Sequence, residues 1–266
     1  MIKSIKEICK EIALENYIKK PDERLVSTGF AQLDSIIGIN NLNGGYLMCI
    51  ASMQGIGKST FMLDLLLNSA ITSEGEIFYF TNEFTSYRIV ERLIQKLSSV
   101  NIEEVDEIYD SDMLNKVDAA LSIISQLKIT VIDYSETCEN IKNILSFNRK
   151  PAMVLIDGFE AISHDFEKDF LIIRNLCKGL NIPIIISVWL ERVQENRFRP
   201  TLNDVYPLVA KLADSVLILH RDSYFDVAEK QDDSIPDTEL IICKNKNGEL
   251  GTIRFKFDGE TYSFIE

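Results

Sequence analysis

Apolar positions along the chain follow two rhythms. Short, nearly unbroken apolar runs occur at Tyr46–Ile50, Ile77–Phe80, Ile129–Ile132, Met153–Ile156, Ile184–Val188 and Val216–Leu219. Runs of that length and density predict strands buried on both faces. Between them lie longer amphipathic stretches. Ser59–Ser69 carries Phe61, Leu63, Leu65 and Leu66, and Tyr87–Leu97, Leu114–Leu127 and Phe166–Leu180 have the same character, so all four are predicted helices. Alternating strands and helices predict an α/β fold with a mostly parallel, twisted sheet and helices on both faces. From Leu240 to Ile265 the alternation is strand-like around Asn247-Gly248 and Asp258-Gly259, which predicts a C-terminal β-hairpin region. At the other end, residues 2–19 predict an amphipathic helix with Ile2, Ile5, Ile8, Cys9 and Ile12 on one stripe. Pro21 and the polar residues after it break that helix. The chain therefore divides into an N-terminal helix, residues 1–25, and a main domain, residues 26–266. The apolar stripe needs cover, either from a partner or from the chain's own domain.

Composition narrows the class. With 266 residues, 46% hydrophobic and 26% charged, the chain can bury a full globular core. No apolar run reaches the roughly 18 residues of a membrane span, and the charged N-terminus is not a secretory signal. The five cysteines are scattered without a C-x-x-C spacing, which fits a reduced cytoplasm better than a disulfide frame or a zinc site. The two histidines, His164 and His220, read as structural. A net charge of −13 argues against coating nucleic acid by bulk charge, although it allows a ring that holds DNA only in its channel. Much of the acidity is local, from Glu103 to Asp112 and from Asp226 to Asp237, and reads as solvated surface.

The strongest chemical signal follows the first strand. Ser52-Met53-Gln54-Gly55-Ile56-Gly57-Lys58-Ser59 matches the phosphate-binding pattern G-x-x-x-x-G-K-[ST], with Ser52 in place of the first glycine and Thr60 next. Gly55 and Gly57 let backbone N–H groups face phosphates, and a helix start adds its dipole. Lys58 would neutralise phosphate charge and Ser59 would ligate Mg²⁺, so ATP with Mg²⁺ is the expected ligand. An acidic residue at a neighbouring strand tip is needed beside the metal. Asp133 and Asp157 both end apolar strands. Asp157 has the cleaner setting, with Gly158 after it, while Asp133 can cap the next turn. Hydrolysis also needs a carboxylate to polarise water. Glu83 follows the strand Ile77–Phe80, at the strand end where α/β sheets place chemistry, although a solvated Glu in a helix's first turn gives the same pattern.

In order and spacing, several further blocks join these. They are Thr28-Gly-Phe…Leu33-Asp34, Gly44-Gly-Tyr-Leu47, Phe78-Tyr-Phe-Thr-Asn-Glu-Phe84, Val154-Leu-Ile-Asp157, Asn181–Ser187, Arg199–Asp204, Ala213–Asp222, Lys244–Phe255 and Gly259–Phe264. Together they resemble the C-terminal, RecA-like P-loop ATPase domain of DnaB-type replicative helicases over residues 26–266. The resemblance implies that Glu83 is the catalytic Glu and Asp157 the Walker B Asp. It implies a homo-oligomeric, six-membered ring acting on single-stranded DNA with other replication proteins, in the cytoplasm and without a membrane. It sets the helix of residues 1–25 in the place of the linker helix that docks on a neighbouring subunit. A compact member, without the family's N-terminal helical domain, is expected.

Three departures from the family pattern bear on coupling to DNA. Val188 stands after Ser187 where the family has Gln, and valine cannot hydrogen-bond. Asp204-Val-Tyr-Pro-Leu-Val-Ala-Lys211 replaces the family's DNA loop without its Arg or Gly. The family's arginine finger lies in K-x-R-N-G, donated across the ring. Here Lys244-Asn-Lys246-Asn-Gly gives Lys246 in its place, with Lys244 beside it, as catalytic candidates. Any DNA contact is expected from Arg192, Arg197 and Arg199 beside Phe198, and from Lys211. The expected function is an ATP-hydrolysing DNA helicase or translocase, of the kind a phage or mobile element encodes. The alternative is a helicase-like ATPase without unwinding activity that binds or regulates a replicative helicase.

Overall fold

The computed structural model describes Ile5 and residues 26–38, 45–100, 111–133, 137–147, 151–191, 199–221 and 238–266. Apart from Ile5, the expected helix of residues 2–19 lies outside them, as do Glu103–Asp110 and Asp226–Asp237. A nine-stranded sheet carries the rest. In chain order the strands are β1 (Leu47–Ser52), β2 (Ile77–Thr81), β3 (Ile129–Asp133), β4 (Met153–Asp157), β5 (Ile184–Trp189), β6 (Ser215–Arg221), β7 (Thr238–Asn245), β8 (Gly251–Asp258) and β9 (Ser263–Ile265). Their spatial order is β3-β2-β4-β5-β1-β6-β7-β8-β9. From β3 to β6 all neighbours are parallel, and from β6 to β9 all are antiparallel. The parallel body and the terminal hairpins follow the sequence reading, with boundaries shifted by a residue or two.

Eight helices are described: α1 (Ala31–Ile37), α2 (Lys58–Thr72), α3 (Ser86–Ser98), α4 (Ser111–Ile124), α5 (Cys138–Phe147), α6 (Phe159–Ile162), α7 (Phe166–Leu180) and α8 (Pro207–Leu212). They cover both faces of the sheet, which is why the central strands read as continuous apolar runs. Odd and even positions of one strand feed different cores. Met48 and Ile50 of β1 pack with Phe61, Met62 and Leu65 of α2. Leu47, Cys49 and Ala51 pack with Ile141 of α5 and Phe170 and Ile173 of α7. The α2 side is closed by an aromatic cluster in which Phe30, Phe61, Phe255 and Phe264 meet edge-on or stacked. Among the described residues no helix is long and apolar enough to cross a membrane.

The topology decides where chemistry can sit. From β1 the chain goes to β2 on one side, and after β5 it crosses to the other side of β1 as β6. The carboxyl end of β1 is thus a crevice between diverging connections, the place where open α/β sheets bind ligands.

Candidate functional site

The glycine loop leaves the carboxyl end of β1. Ser52, which replaces the pattern's first glycine, is fully buried, and its hydroxyl donates to the Met53 carbonyl at 2.8 Å. Gly55 and Gly57 both have positive φ, at 82° and 106°. Gly57 is the N-cap of α2 and supplies no capping side chain, so the first N–H groups of the helix are left to an incoming acceptor. A Cβ at Gly57 would lie 3.1 Å from the Phe264 ring. Glycine is therefore required both by the left-handed backbone and by the close approach of β9.

Around this loop the sheet brings up its acids. Asp157 ends β4 and is fully buried. Its Oδ1 accepts from the Ser187 hydroxyl at 2.6 Å and its Oδ2 from the Tyr79 hydroxyl at 2.9 Å. Ser187 also accepts from the Gly158 N–H at 2.8 Å, so β4 and β5 are laced together beside the loop. Glu83 comes from the segment after β2. The Ser59 hydroxyl donates to its Oε2 at 3.1 Å. Its Oε1 would lie only 2.6 Å from a Cβ on Gly158, which has φ +71°. The carboxylate thus sits between the helix start and the backbone just past Asp157, and a glycine makes that possible. Asp133, the alternative strand-tip acid, lies on edge strand β3 and accepts from the Ser86 N–H at 2.7 Å, at the start of α3. It has a capping job of its own.

Lys58 is buried, 7% exposed. Burial pushes its ammonium below the usual lysine range, while Glu160, Asp157 and Glu83 pull it back up. Glu160, on α6, is not anticipated by the sequence reading. Its Oε1 accepts from the Trp189 N–H at 2.5 Å, and its Oε2 is buried without a hydrogen-bond partner among the described residues. Burial pushes this carboxyl above the usual carboxylate range, with the Trp189 N–H and Lys58 acting against it. Trp189 also escapes the sequence reading. Its ring centroid lies 5.6 Å from Lys58 Nζ. The available signal is the period of two along β5. Ile185 packs on the α2 face and Ile184, Ile186 and Val188 on the other, so Ser187 and Trp189, not Val188, look toward the loop. The departure at Val188 is therefore a core residue, and the position that meets the site is the next one.

The remaining candidates among the described residues are not brought to this loop. Lys246 is paired at 3.5 Å with Asp214, whose other carboxylate oxygen accepts from the Leu47 N–H at the start of β1. Lys244 donates to the carbonyls of Ala210 and Lys211. Both lysines sit at the amino end of β1, and its six residues separate them from the loop by about 17 Å. Arg199 donates to Glu239 Oε2 at 2.8 Å and to Thr252 Oγ1 at 2.7 Å, over the antiparallel strands. Lys211 is exposed on α8. Arg192, Arg197 and Phe198 lie outside the described residues.

With the loop, Lys58, Ser59, Glu83 and Asp157 converging, the arrangement can hold a polyanion and offer a carboxylate to a water beside it. Comparisons with known proteins agree with that geometry. The sequence matches the DnaB-like helicase C terminal domain over residues 26–266. It is 26% identical to a probable replicative DNA helicase of Trieres chinensis, covering 98% of this chain and 62% of the relative. It is also 26% identical to the replicative DNA helicase DnaB of Helicobacter pylori, covering 97% of this chain and 62% of that protein. The chain thus spans about 62% of the length of these relatives. Among solved structures, an ATPase domain superposes over 100% of this chain and 99% of its own, with a TM-score of 0.83 and 22% identity. A DnaB-like replicative helicase, in a structure that describes its interactions with primase, superposes over 100% of this chain and 67% of its own, with a TM-score of 0.80 at 22% identity. At that identity the superpositions establish the fold, and the match over residues 26–266 establishes more: the chain belongs to the family of DnaB-like helicase C-terminal domains.

Proposed function

We propose that the chain is an ATP-hydrolysing DnaB-like motor domain that acts on single-stranded DNA in replication. One observation carries the reading: Glu83 stands 3.1 Å from the Ser59 hydroxyl at the start of α2, between the glycine loop and the tip of β4. A phosphate-binding loop with a carboxylate in that position suits hydrolysis better than storage of a nucleotide. In this reading Ser52–Thr60 cradle the phosphates and Lys58 pairs with them. Glu83 takes the proton of the attacking water. Residues 26–266 form the motor, and the segment 1–25 joins it to a neighbouring copy.

The donors near the phosphate position are all oxygens: the Ser59 hydroxyl and the carboxylates of Glu83 and Asp157. Among the described residues no group of three or more His, Cys, Asp or Glu could hold a metal ion alone. That donor set suits Mg²⁺, which binds through few protein ligands and keeps waters and substrate phosphates. Ser59 and Asp157 would hold it, and when bound it offsets charge on the phosphates.

For turnover we assign Lys246, with Lys244 beside it, to the site of an adjacent copy in a homo-oligomeric ring. Arg192, Arg197, Arg199 and Lys211 are the proposed DNA contacts. A second reading, an ATPase that binds or regulates a replicative helicase without unwinding, has its own support. The stretch that replaces the DNA loop is committed to the domain: Asp204 closes a capping box with Thr201, Val205 and Val209 are buried, and Tyr206 stacks on Phe166 at 4.2 Å.

ATP turnover with and without single-stranded DNA separates the two, since a motor is stimulated and a regulator need not be. Lys58→Ala tests the site itself. It should lose about 1.5–3 kcal/mol of Mg²⁺–ATP binding, and binding as tight as the parent's would move the nucleotide elsewhere.

A further inference from the structure

We propose that Trp189 is the positioning residue of the phosphate site: its indole face holds the Lys58 ammonium where bound phosphates need it, while leaving the ammonium's hydrogen-bond donors free. The inference rests on the reading of the loop as a nucleotide site.

Withdrawing an ammonium from water is costly without an attractive partner, and Lys58 is only 7% exposed. Among the described residues Lys58 has no ion pair within 4 Å and no hydrogen-bond acceptor for its ammonium. The acids around it, Glu160, Asp157 and Glu83, act from further away. What does lie over Nζ is the Trp189 ring, 5.6 Å to its centroid. A ring face attracts a cation through its quadrupole. It does not use up an N–H in the way a carboxylate would, and a carboxylate would also compete with the phosphates. The ring thus supplies attraction of the kind a lysine awaiting a polyanion needs.

The strand end that carries the ring is held by backbone contacts rather than by packing of the indole. Trp189 is 41% exposed, so it fills little core. Its backbone N–H is fixed by Glu160 of α6. The next residue's N–H, that of Leu190, donates to the Ser52 carbonyl at 3.1 Å. The tip of β5 is therefore tied on one side to the segment following Asp157 and on the other to the first residue of the loop. Ser187, two residues earlier on the same face, holds Asp157. One strand end thus orders both the acid and the lysine of the site.

Trp189 is the chain's single tryptophan, so intrinsic emission reads this spot alone. The full-length chain is titrated with Mg²⁺–ATP and, separately, with adenosine, following tryptophan emission. ATP affinity is measured by calorimetry for the parent, Trp189→Phe and Trp189→Leu. The expected result is an emission change with ATP and none with adenosine, which carries no phosphate. Trp189→Leu should bind ATP about 3- to 30-fold more weakly, and Trp189→Phe, which keeps a ring face, should recover most of that loss. The proposal is overturned if ATP saturates the parent without moving its emission, or if Trp189→Leu binds as tightly as the parent. A Phe variant as weak as the Leu variant overturns it too. The emission arm uses the parent alone, so a misfolded variant does not remove the test. Failure of the parent to bind ATP by calorimetry would sink the nucleotide-site reading and this proposal with it. Binding with silent emission and an undiminished Leu variant would sink this proposal only.

Discussion

Glu83 owes its place to two small neighbours. Ser59 hydrogen-bonds one carboxylate oxygen, and Gly158, with φ +71°, lets the other approach the backbone after β4. The contrast with Asp157 is instructive. Both oxygens of Asp157 already accept from hydroxyls, those of Ser187 and Tyr79, in a fully buried setting. Such a group is built to stay still. Glu83 accepts from the Ser59 hydroxyl through one oxygen and lies nearer the helix start, so of the two it is the carboxylate we propose as the base. Glu83→Gln keeps the shape and the contact with Ser59 but removes the base. It should bind ATP as the parent does and lose turnover by about two orders of magnitude or more, read as steady-state phosphate release. Undiminished release would transfer the role to another acid. Asp133, engaged with the Ser86 N–H on an edge strand, is badly placed for it, and Glu160 becomes the next residue to replace.

At the scale of elements, much of the site is legible in the sequence because its signals are local. A loop with two glycines between an apolar strand and a helix, and an Asp closing a second apolar strand, are written in consecutive residues. What escapes needs neighbours distant in sequence. Trp189 becomes meaningful only when the faces of β5 are assigned, and Glu160 only when α6 turns back toward β5. Helix α5 is hard to see although Cys138, Ile141 and Leu145 are buried at helical spacing, because it is short and Glu139, Asn140, Lys142 and Asn143 break up its apolar positions. The tie at Asp214 is likewise invisible. Arg174 of α7 grips its carboxylate with both terminal guanidinium nitrogens, at 2.5 and 2.9 Å, and Leu47 of β1 adds an N–H at 3.0 Å. Burial alone would raise this carboxyl, but the Arg174 and Leu47 donors outweigh it and hold it below the usual carboxylate range. A depressed folded-state value means stability that is present above the unfolded value of about 3.9 and lost as pH falls through the folded value. Asp214→Asn should therefore cost about 3–5 kcal/mol at neutral pH, because Arg174 stays buried without its counter-charge. Its stability should also fall less steeply than the parent's below about pH 4. Urea unfolding across pH measures both, and parallel curves would assign the acid sensitivity to other carboxylates. The C-terminal strand offers a second test at this scale. Lys96 of α3 pairs with Asp64 of α2 at 2.6 Å and also donates to the Tyr262 carbonyl, while the Phe264 N–H donates to Asp64 at 3.0 Å. That tether seats the buried Phe264 against Phe61 and beside Gly57. Phe264→Ala should lower unfolding stability by about 3–5 kcal/mol, and a loss under about 1 kcal/mol in the same urea assay would mean the aromatic cluster closes over the gap.

If Lys246 serves the phosphate loop, as proposed, one copy cannot supply it to its own site. The phosphate loop is at the carboxyl end of β1, whereas Lys244, bound to α8 carbonyls, and Lys246, paired with Asp214 at 3.5 Å, lie at its amino end. Neither lysine side chain is long enough to span that separation within a copy. A head-to-tail contact between copies can bring opposite strand ends of the sheet together, and such contacts close into rings when the rotation allows. Lys246 is 63% exposed and only loosely paired with Asp214, so it can leave that partner for a phosphate on a neighbour. In the proposed role lysine would bring a point charge there rather than a planar fork. Action across an interface predicts complementation between two defective chains. Lys58→Ala spoils its own loop but still carries Lys246. Lys246→Ala keeps a sound loop but gives its neighbour nothing. Each alone should turn over ATP poorly. In an equal mixture with free exchange, about a quarter of interfaces pair a sound loop with a sound lysine. Turnover of the mixture should therefore climb well above the mean of the two variants, toward about a quarter of the parent's rate. A mixture no faster than that mean would confine Lys246 to its own copy, where the sheet keeps it away from the chemistry, and would leave the charge compensation to another residue.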